Sequence, residues 1–309
     1  MTLDACHLEY PMRRYGMDHD RYAWSMLADR KPVCWPGGRR VAVWINVSLE
    51  HFPLNPVGKP VKLPGSMTMP YPDLRHFTLR DYGNRVGIYR FLDAFDRYGV
   101  NPSYAINACL VERCPAVFDA ILERNAEIIG HSWSMDTPHA GGLDRDEEKA
   151  LIGRSLEALR ARTGRPVRGW LGPGKLQSAN TPELLRAAGV EFFCDWVNDE
   201  LPYPFRTDEG EIWSLPLSTE IEDRFVIMDN QHAEASWAQQ VVDALDMLLA
   251  ESAEAGGRLL SLSLHPWVLG QPHRMKHLER VLDRVATDPA VWCAGPGQIL
   301  EAYVASNAS

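Results

Sequence analysis

The stretch V-A-V-W-I-N-V-S (residues 41–48) decides the fold class of this chain. It is apolar and rich in β-branched residues, and it lies between Gly37-Gly38 and a charged segment, which is typical of a strand buried on both faces. Similar runs recur toward the C-terminus, and the sequence predicts strands at residues 102–108, 127–132, 167–172, 191–196, 211–218, 258–266 and 291–295.

Helical segments separate these strands. Apolar residues at Val86, Tyr89, Leu92 and Phe95 predict a helix over residues 83–98. Further helices are predicted over residues 115–123, 144–163, 181–189, 234–255 and 274–286 and at the C-terminus. Alternating strands and helices indicate a parallel sheet built from roughly seven βα units. No G-x-G-x-x-G or P-loop sequence follows a strand, so an α/β fold of the distorted (β/α)7 barrel type is favoured over a nucleotide-binding sheet.

The domain organisation follows from the same pattern. Residues 1–40 have no clear period and are predicted to form an extended N-terminal arm. Residues 41–305 are predicted to form a single barrel domain, in which the proline-rich segment 51–81 is a lid-like insertion. Loops of this length inside compact domains are usually functional.

Composition limits the partners and the location. The 309 residues carry a formal net charge of -9 without a basic cluster, which argues against nucleic acid as a partner. No apolar stretch approaches the ~18 residues that span a membrane, and no secretory signal precedes the arm. Six scattered cysteines form no C-x-x-C pair, so we expect reduced thiols and a cytoplasmic location.

Four candidate catalytic residues lie where predicted strands end, which is where the loops of a barrel build a shared face. They are Glu50, His131, Asp195 and His265. Taken singly, each has a structural interpretation, as a solvated acid, a loop cap or a core histidine. Together they support proton transfer to and from water and a leaving nitrogen. No G-x-S-x-G sequence is present and no cysteine lies in a catalytic motif, which leaves metal-assisted or metal-free hydrolysis.

The order of these motifs resembles the polysaccharide deacetylase (NodB-homology) superfamily over residues 40–300. Ser48-Leu49-Glu50 lies at its T-F-D-D motif and residues 131–135, H-S-W-S-M, lie at H-[ST]-x-x-H. Residues 170–174 lie near R-x-P-x-G, Asp195-Trp196 at the acidic-aromatic motif and Leu264-His265-Pro266 at the late leucine-histidine motif. The resemblance implies the distorted barrel of that superfamily.

The departures from these motifs concern the metal and the base. Leu49 takes the position of the base aspartate, Met135 that of the second metal histidine and Leu171 that of the motif arginine. Only Glu50 and His131 remain at the metal positions of the family. Zinc or a similar divalent metal would therefore need a third ligand, for which Asp136 and His139 are the candidates.

Three stretches are similar to the cofactor-independent allantoinase and cyclic-imide hydrolase subgroup: residues 35–43, 195–203 and 264–274. This resemblance implies a hydrolase of carbon–nitrogen bonds in a small linear or cyclic amide, imide or ureide. It also implies no cofactor and a homo-oligomer, a dimer or tetramer, assembled through the arm. The alternatives are a metal-dependent N-deacetylase of an acetylated carbohydrate and a catalytically inactive barrel that only binds a ligand.

In the metal-free interpretation, Glu50 and His265 bind the water and transfer the proton, and the His131 ring donates a hydrogen bond to the oxyanion. Side chains around the strand ends are predicted to form the substrate-binding wall. These are Trp133, Trp170, Leu171, Gly172 and Trp196.

Overall fold

A computed structural model describes residues 19–56, 74–140 and 142–308, and within these ranges nine strands form one sheet. The strands are β1 (Val41–Leu49), β2 (Ser103–Ile106), β3 (Ile128–Gly130), β4 (Gly169–Trp170), β5 (Phe192–Phe193), β6 (Tyr203–Thr207), β7 (Gly210–Ser214), β8 (Arg258–Leu264) and β9 (Val291–Cys293). Their order is β6-β7-β5-β4-β3-β2-β1-β8, with β9 paired to β1. All pairs are parallel except the β6–β7 hairpin.

Helices cover the outer face of this sheet. They are α1 (Leu74–Tyr82), α2 (Ile88–Tyr98), α3 (Leu110–Arg113), α4 (Pro115–Glu123), α5 (Arg145–Thr163), α6 (Thr181–Ala187), α7 (Glu234–Ala255), α8 (Met275–Thr287) and α9 (Pro296–Ala308). The Asp144 side chain caps α5 by accepting from the backbone N–H groups of Asp146 and Glu147 at 2.9 and 3.2 Å.

The central strand β1 is buried on both faces. Its side chains alternate, so that Ala42 and Trp44 pack inside the barrel while Val43 and Ile45 pack against the helices. β1 also pairs with β8 along residues 41–47. This double burial explains why the stretch reads as one continuous apolar run.

The sheet curls until β8 approaches the chain that follows β7. Ser261 on β8 bridges this seam, because its hydroxyl accepts from the backbone N–H of Ser218 at 3.0 Å and donates to the carbonyl of Pro216 at 3.1 Å. The predicted α/β fold of the distorted barrel type is confirmed.

Part of the segment predicted as a lid-like loop is helical in the structure. Of the predicted lid-like insertion 51–81, residues 57–73 lie outside the described residues, but Leu74–Tyr82 form helix α1 rather than loop. α1 continues through a π-helical turn, Gly83–Gly87, into α2. The buried side chains of α1 are His76 and Arg80, so apolar periodicity cannot reveal it.

Residues 19–40 of the predicted arm run along the barrel. Trp35 is buried with the interior cluster, and its indole N–H donates to the carbonyl of Arg258 at 2.8 Å. Arg30 forms a two-pronged ion pair with Asp199. Among the helices described, none is long and apolar enough to cross a membrane.

Candidate active site

A cavity of about 170 Å³ lies at the carboxyl end of the parallel strands. Its polar lining consists of Ser48, Glu50, His76, Arg80, His131, Lys175, Glu222, Arg224, Ser263 and His265. Its apolar lining includes Phe52, Met135, Pro138, Leu171, Pro173 and Leu176. Three of the four predicted catalytic residues therefore face one small space.

Strand parity places these side chains. On β1 the interior positions continue from Trp44 through Asn46 and Ser48 to Glu50, while Val47 and Leu49 face the helices. On β8 the interior positions run from Leu259 through Ser261 and Ser263 to His265. Each of these two strands is thus apolar at its base and polar at its carboxyl end.

The carboxylate of Glu50 is buried and held from one side. Its Oε2 accepts from Nε of Arg80 at 2.9 Å and from the indole N–H of Trp267 at 3.0 Å, and Asn84 donates to its backbone carbonyl at 2.8 Å. Burial disfavours the charged form, but the positive charge of Arg80 and the nearby histidines outweigh it and lower the pKa of Glu50 to about 2. Glu50 is therefore an ionised acceptor, with Oε1 turned toward His265.

Glycines allow the α1–α2 helix to bring Arg80 and Asn84 to this carboxylate. A Cβ on Gly87 would lie 2.1 Å from the carbonyl oxygen of Pro266, so only glycine permits this approach of the helix to the chain after β8.

His265 is the centre of a chain of side chains that the sequence does not reveal. Its Nδ1 lies 2.7 Å from Oδ1 of Asp223, and its Nε2 lies 3.6 Å from Oε1 of Glu50. Burial lowers the pKa of His265, but the charge of Asp223 and its hydrogen bond outweigh this, so the pKa is raised above 6.5. With Nδ1 bound to Asp223, the ring turns Nε2 toward Glu50 and the cavity, and Asp223 favours the charged form of the ring.

His131 has the opposite character. Its Nδ1 lies 2.6 Å from the carbonyl oxygen of Leu171, an acceptor only, so Nδ1 carries the proton in that bond. Burial lowers the pKa of the ring below 6.5, only partly opposed by Glu50. The neutral ring therefore exposes a lone pair on Nε2, which is buried and has no partner among the described residues. This geometry contradicts the expectation that His131 donates to an oxyanion.

Asp195 is the predicted catalytic residue that does not line the cavity. Asp195 directly follows Cys194, which faces the barrel interior, so the side chain of Asp195 points to the opposite side of the strand. Its oxygens accept from the backbone N–H of Gly172 and the amide of Gln177, both at 2.7 Å. It thus holds the turn formed by residues 172–175, and burial raises its pKa to about 6 despite these bonds.

The structure places two residues of the predicted substrate-binding wall at the cavity and the other three outside its lining. Leu171 and Gly172 line the cavity. Trp170 points outward into the helix-facing core, since it alternates with Leu171. Trp133 packs under the guanidinium of Arg154, 3.4 Å from its ring centroid. Trp196 donates to Gln177 at 3.0 Å and lies outside the cavity lining.

The residues present do not fit the expected zinc site. His139 is fully buried between Glu148 at 3.0 Å and Ser132 at 3.1 Å, and Asp136 accepts from Ser134 at 2.6 Å. Neither lines the cavity, and Met135 occupies the remaining family position there. Within residues 19–56, 74–140 and 142–308, no group of three or more His, Cys, Asp or Glu side chains could hold a metal ion.

A charged turn after β7 completes the cavity, and the sequence analysis missed it. Glu222 accepts from Lys175 at 3.1 Å and from Nε of Arg224 at 2.9 Å. Asp223, between them, faces His265. The sequence does contain a pattern that indicates this turn. The charged run I-E-D-R (residues 221–224) follows a predicted strand, at the end of the barrel that carries the other candidate residues.

Residues 79–193 match the sequence profile of the polysaccharide deacetylase family. Over these residues the chain is similar to the polysaccharide deacetylase family. A putative polysaccharide deacetylase of Schizosaccharomyces pombe is 24% identical over 301 residues, which is 88% of this chain and 93% of that protein. The predicted resemblance to this family and the expectation of a hydrolase acting on carbon–nitrogen bonds are confirmed.

Solved structures show the same fold as this chain. Puue allantoinase superposes with a TM-score of 0.83 at 21% identity, over 97% of this chain and 99% of that one. A probable polysaccharide deacetylase from Pseudomonas aeruginosa PAO1 superposes with a TM-score of 0.75 at 24% identity, over 87% of this chain and 92% of that one.

Proposed function

We propose that this chain hydrolyses a carbon–nitrogen bond in a small linear or cyclic amide, imide or ureide, and that it does so without a resident metal. The observation that carries the proposal is the series Asp223–His265–Glu50, which shares one small cavity with Nε2 of His131. Among residues 19–56, 74–140 and 142–308, that Nε2 has no hydrogen-bond partner. An acid and a base with opposite pKa shifts, facing one space, are the requirements of amide hydrolysis.

The proposed reaction begins with a water molecule that donates to Nε2 of His131 and to Oε1 of Glu50. The water oxygen attacks the carbonyl carbon while Nε2 of His131 takes one proton, because Nδ1 already donates to the carbonyl of Leu171 and the lone pair on Nε2 faces the cavity. The Nε2–H of His265 then protonates the leaving nitrogen as the carbon–nitrogen bond breaks. Solvent returns the proton from His131 to His265 after the product leaves.

A metal-dependent N-deacetylase acting on an acetylated carbohydrate is the alternative that the family match favours. The side chains that would have to bind the metal argue against this alternative. Oε2 of Glu50 is already bound by Arg80 and Trp267, and both proposed third ligands, Asp136 and His139, are bound elsewhere.

The decisive experiment is turnover by tag-free protein after chelation, with metal content measured by elemental analysis. Hydantoin, dihydrouracil, succinimide and N-acetylglucosamine form the substrate panel. We expect hydrolysis of at least one cyclic amide by metal-free protein, reduced about 10²-fold or more in Glu50→Gln and His265→Ala. His232→Ala, an exposed histidine, is the matched control.

The other outcomes decide between the alternatives. Activity on N-acetylglucosamine that appears only after zinc is restored would replace the proposal with the deacetylase. No turnover of any substrate with or without zinc would favour a barrel that only binds its ligand.

We further propose that the chain acts in the cytoplasm as a homo-oligomer, without nucleic acid or membrane partners. The support for assembly is an exposed apolar surface on the arm, where Trp24, Met26 and Leu27 are 55%, 56% and 49% exposed. Leu27 lines a groove with Met247 of α7, which is 59% exposed. Exposed apolar clusters of this kind are typical of protein–protein contacts.

A further inference from the structure

Arg224 differs from the other cations of the cavity in its position. It begins the π-helical turn Arg224–Asp229, and its backbone N–H donates to Oδ1 of Asp223 at 2.7 Å. The same turn therefore fixes both the carboxylate that orients His265 and the guanidinium of Arg224. Both His265 and Arg224 line the cavity of about 170 Å³, so one small molecule can contact both.

The other arginine and the lysine of the cavity are already paired. Arg80 pairs with Glu50, and both side chains are almost fully buried. Lys175 has three N–H donors, and its Nζ contacts the carbonyl of Ser218 at 3.0 Å, the hydroxyl of Thr219 at 2.8 Å and Glu222 at 3.1 Å. The three donors of Lys175 are thus all used, and Arg80 is committed to the buried carboxylate of Glu50.

Arg224 has capacity left for a substrate anion. Of its five N–H donors, Nε binds Glu222 at 2.9 Å and Nη1 makes one long contact with Asp229 at 3.4 Å. No contact to Nη2 is found within the described part of the chain. The Arg224 side chain is 28% exposed, against 4% for Glu222 and 14% for Lys175, which places it at the mouth of the cavity.

We propose that Arg224 binds a carboxylate of the substrate, so that the substrate is an acid-bearing amide, imide or ureide. This inference rests on the proposed function. A guanidinium binds a carboxylate through parallel N–H···O bonds, which fix orientation as well as position. A carboxylate held at the mouth would direct the rest of the small substrate toward His265.

The test compares matched substrate pairs that differ only in the acid group. Hydantoin is paired with hydantoin-5-acetate, and N-acetylglycinamide with N-acetylglycine. We expect the wild-type kcat/KM to be higher for the acid of at least one pair, and Arg224→Gln to reduce that preference about 10- to 100-fold, chiefly through KM. Arg224→Lys, which keeps the positive charge but not the paired N–H donors of the guanidinium, should retain part of the preference for the acidic substrate. Arg280→Gln, an exposed arginine of α8 that contacts Gln239, is the matched control.

A binding measurement separates this inference from the proposed function. By calorimetry, succinate should bind wild-type protein at least about 10-fold more tightly than succinamide, and Arg224→Gln should abolish the difference. Thermal unfolding of each variant establishes that it is folded. Hydrolysis of neutral and acidic members at equal rates, or an equal loss for both in Arg224→Gln, overturns the carboxylate inference and leaves the proposed function intact. Arg224-dependent binding of succinate without turnover of any substrate supports the carboxylate site and overturns the hydrolase.

Discussion

Both carboxylate oxygens of Asp223 bind one residue, His265: Oδ1 lies 2.7 Å from the ring Nδ1, and Oδ2 accepts from the backbone N–H at 2.8 Å. The side chain is thus fixed relative to its own backbone, and its Nε2 is directed at Glu50. A carboxylate in this position also stabilises the imidazolium form. Asp223 therefore sets both the orientation and the charge of the proposed acid.

We expect Asp223→Asn to lower activity on any substrate found by about 10²-fold or more. The reason is that the amide no longer stabilises the charged ring, so the pKa of His265 falls and the alkaline limb of the pH–rate profile moves to lower pH. The measurement is kcat/KM against pH for both proteins, with Asp243→Asn on α7 as the control. A uniform loss of rate without movement of the limb would indicate a structural role only.

The wild-type pH–rate profile should have two limbs, one on each side of pH 6.5. His265 must be protonated to act as the acid, and its pKa is raised, so activity falls as the pH rises through a value above 6.5. His131 must be neutral to act as the base, and its pKa is lowered, so activity falls as the pH drops through a value below 6.5. Glu50, with a pKa of about 2, stays ionised throughout. A profile with the alkaline limb alone would remove His131 as the base.

The positions of Glu50 and His265 were predictable because alternate residues of a strand face the same side of the sheet, and this alternation is visible in the sequence. In N-V-S-L-E (residues 46–50) and S-L-S-L-H (residues 261–265), polar residues alternate with apolar ones, and each series ends in a candidate catalytic residue. The same parity excludes Trp170, which lies one position before the interior residue Leu171. The alternation was therefore sufficient to correct part of the predicted wall.

The remaining parts of the site depend on contacts between distant segments. Asp223 and His265 are 42 residues apart, and no local pattern relates them. Helix α1 buries His76 and Arg80 rather than an apolar stripe, so periodicity assigns it to a loop. His139 and Asp136 have the chemistry of metal ligands, and only their hydrogen bonds to Glu148 and Ser134 show that they are used otherwise.

The placement of Asp195 predicts a pH-dependent stability. Burial raises its pKa from 3.8 to about 6 in the folded state, so the folded state favours the protonated form. The contribution of Asp195 to the free energy of unfolding is therefore fully present below pH 3.8 and is lost as the pH rises through about 6. By linkage the loss is about 3 kcal/mol in the free energy of unfolding, at about 1.4 kcal/mol per pKa unit.

Asp195→Asn cannot ionise and should not show this loss. The measurement is urea unfolding of both proteins at several pH values between roughly 4 and 7, which spans the linkage window of the group. We expect the stability of wild type relative to Asp195→Asn to decrease over this range. A constant difference would mean that the carboxyl is ionised without penalty. Asp243→Asn, at an exposed site, corrects for effects of charge alone.

The exposed apolar residues of the arm predict an assembly that depends on them. Because Trp24 and Met247 are 55% and 59% exposed, replacing either by Ser should leave the stability of a monomer nearly unchanged. If they are buried between subunits, each replacement should weaken association by about 1.5–3 kcal/mol per contact, or roughly 10- to 100-fold in the dissociation constant. Sedimentation velocity over a range of concentrations measures this, with Val304→Ser on α9, 40% exposed, as the control. An oligomer unaffected by Trp24→Ser and Met247→Ser would show that these subunits associate through another surface, and a monomer at every concentration would exclude assembly of this chain by itself.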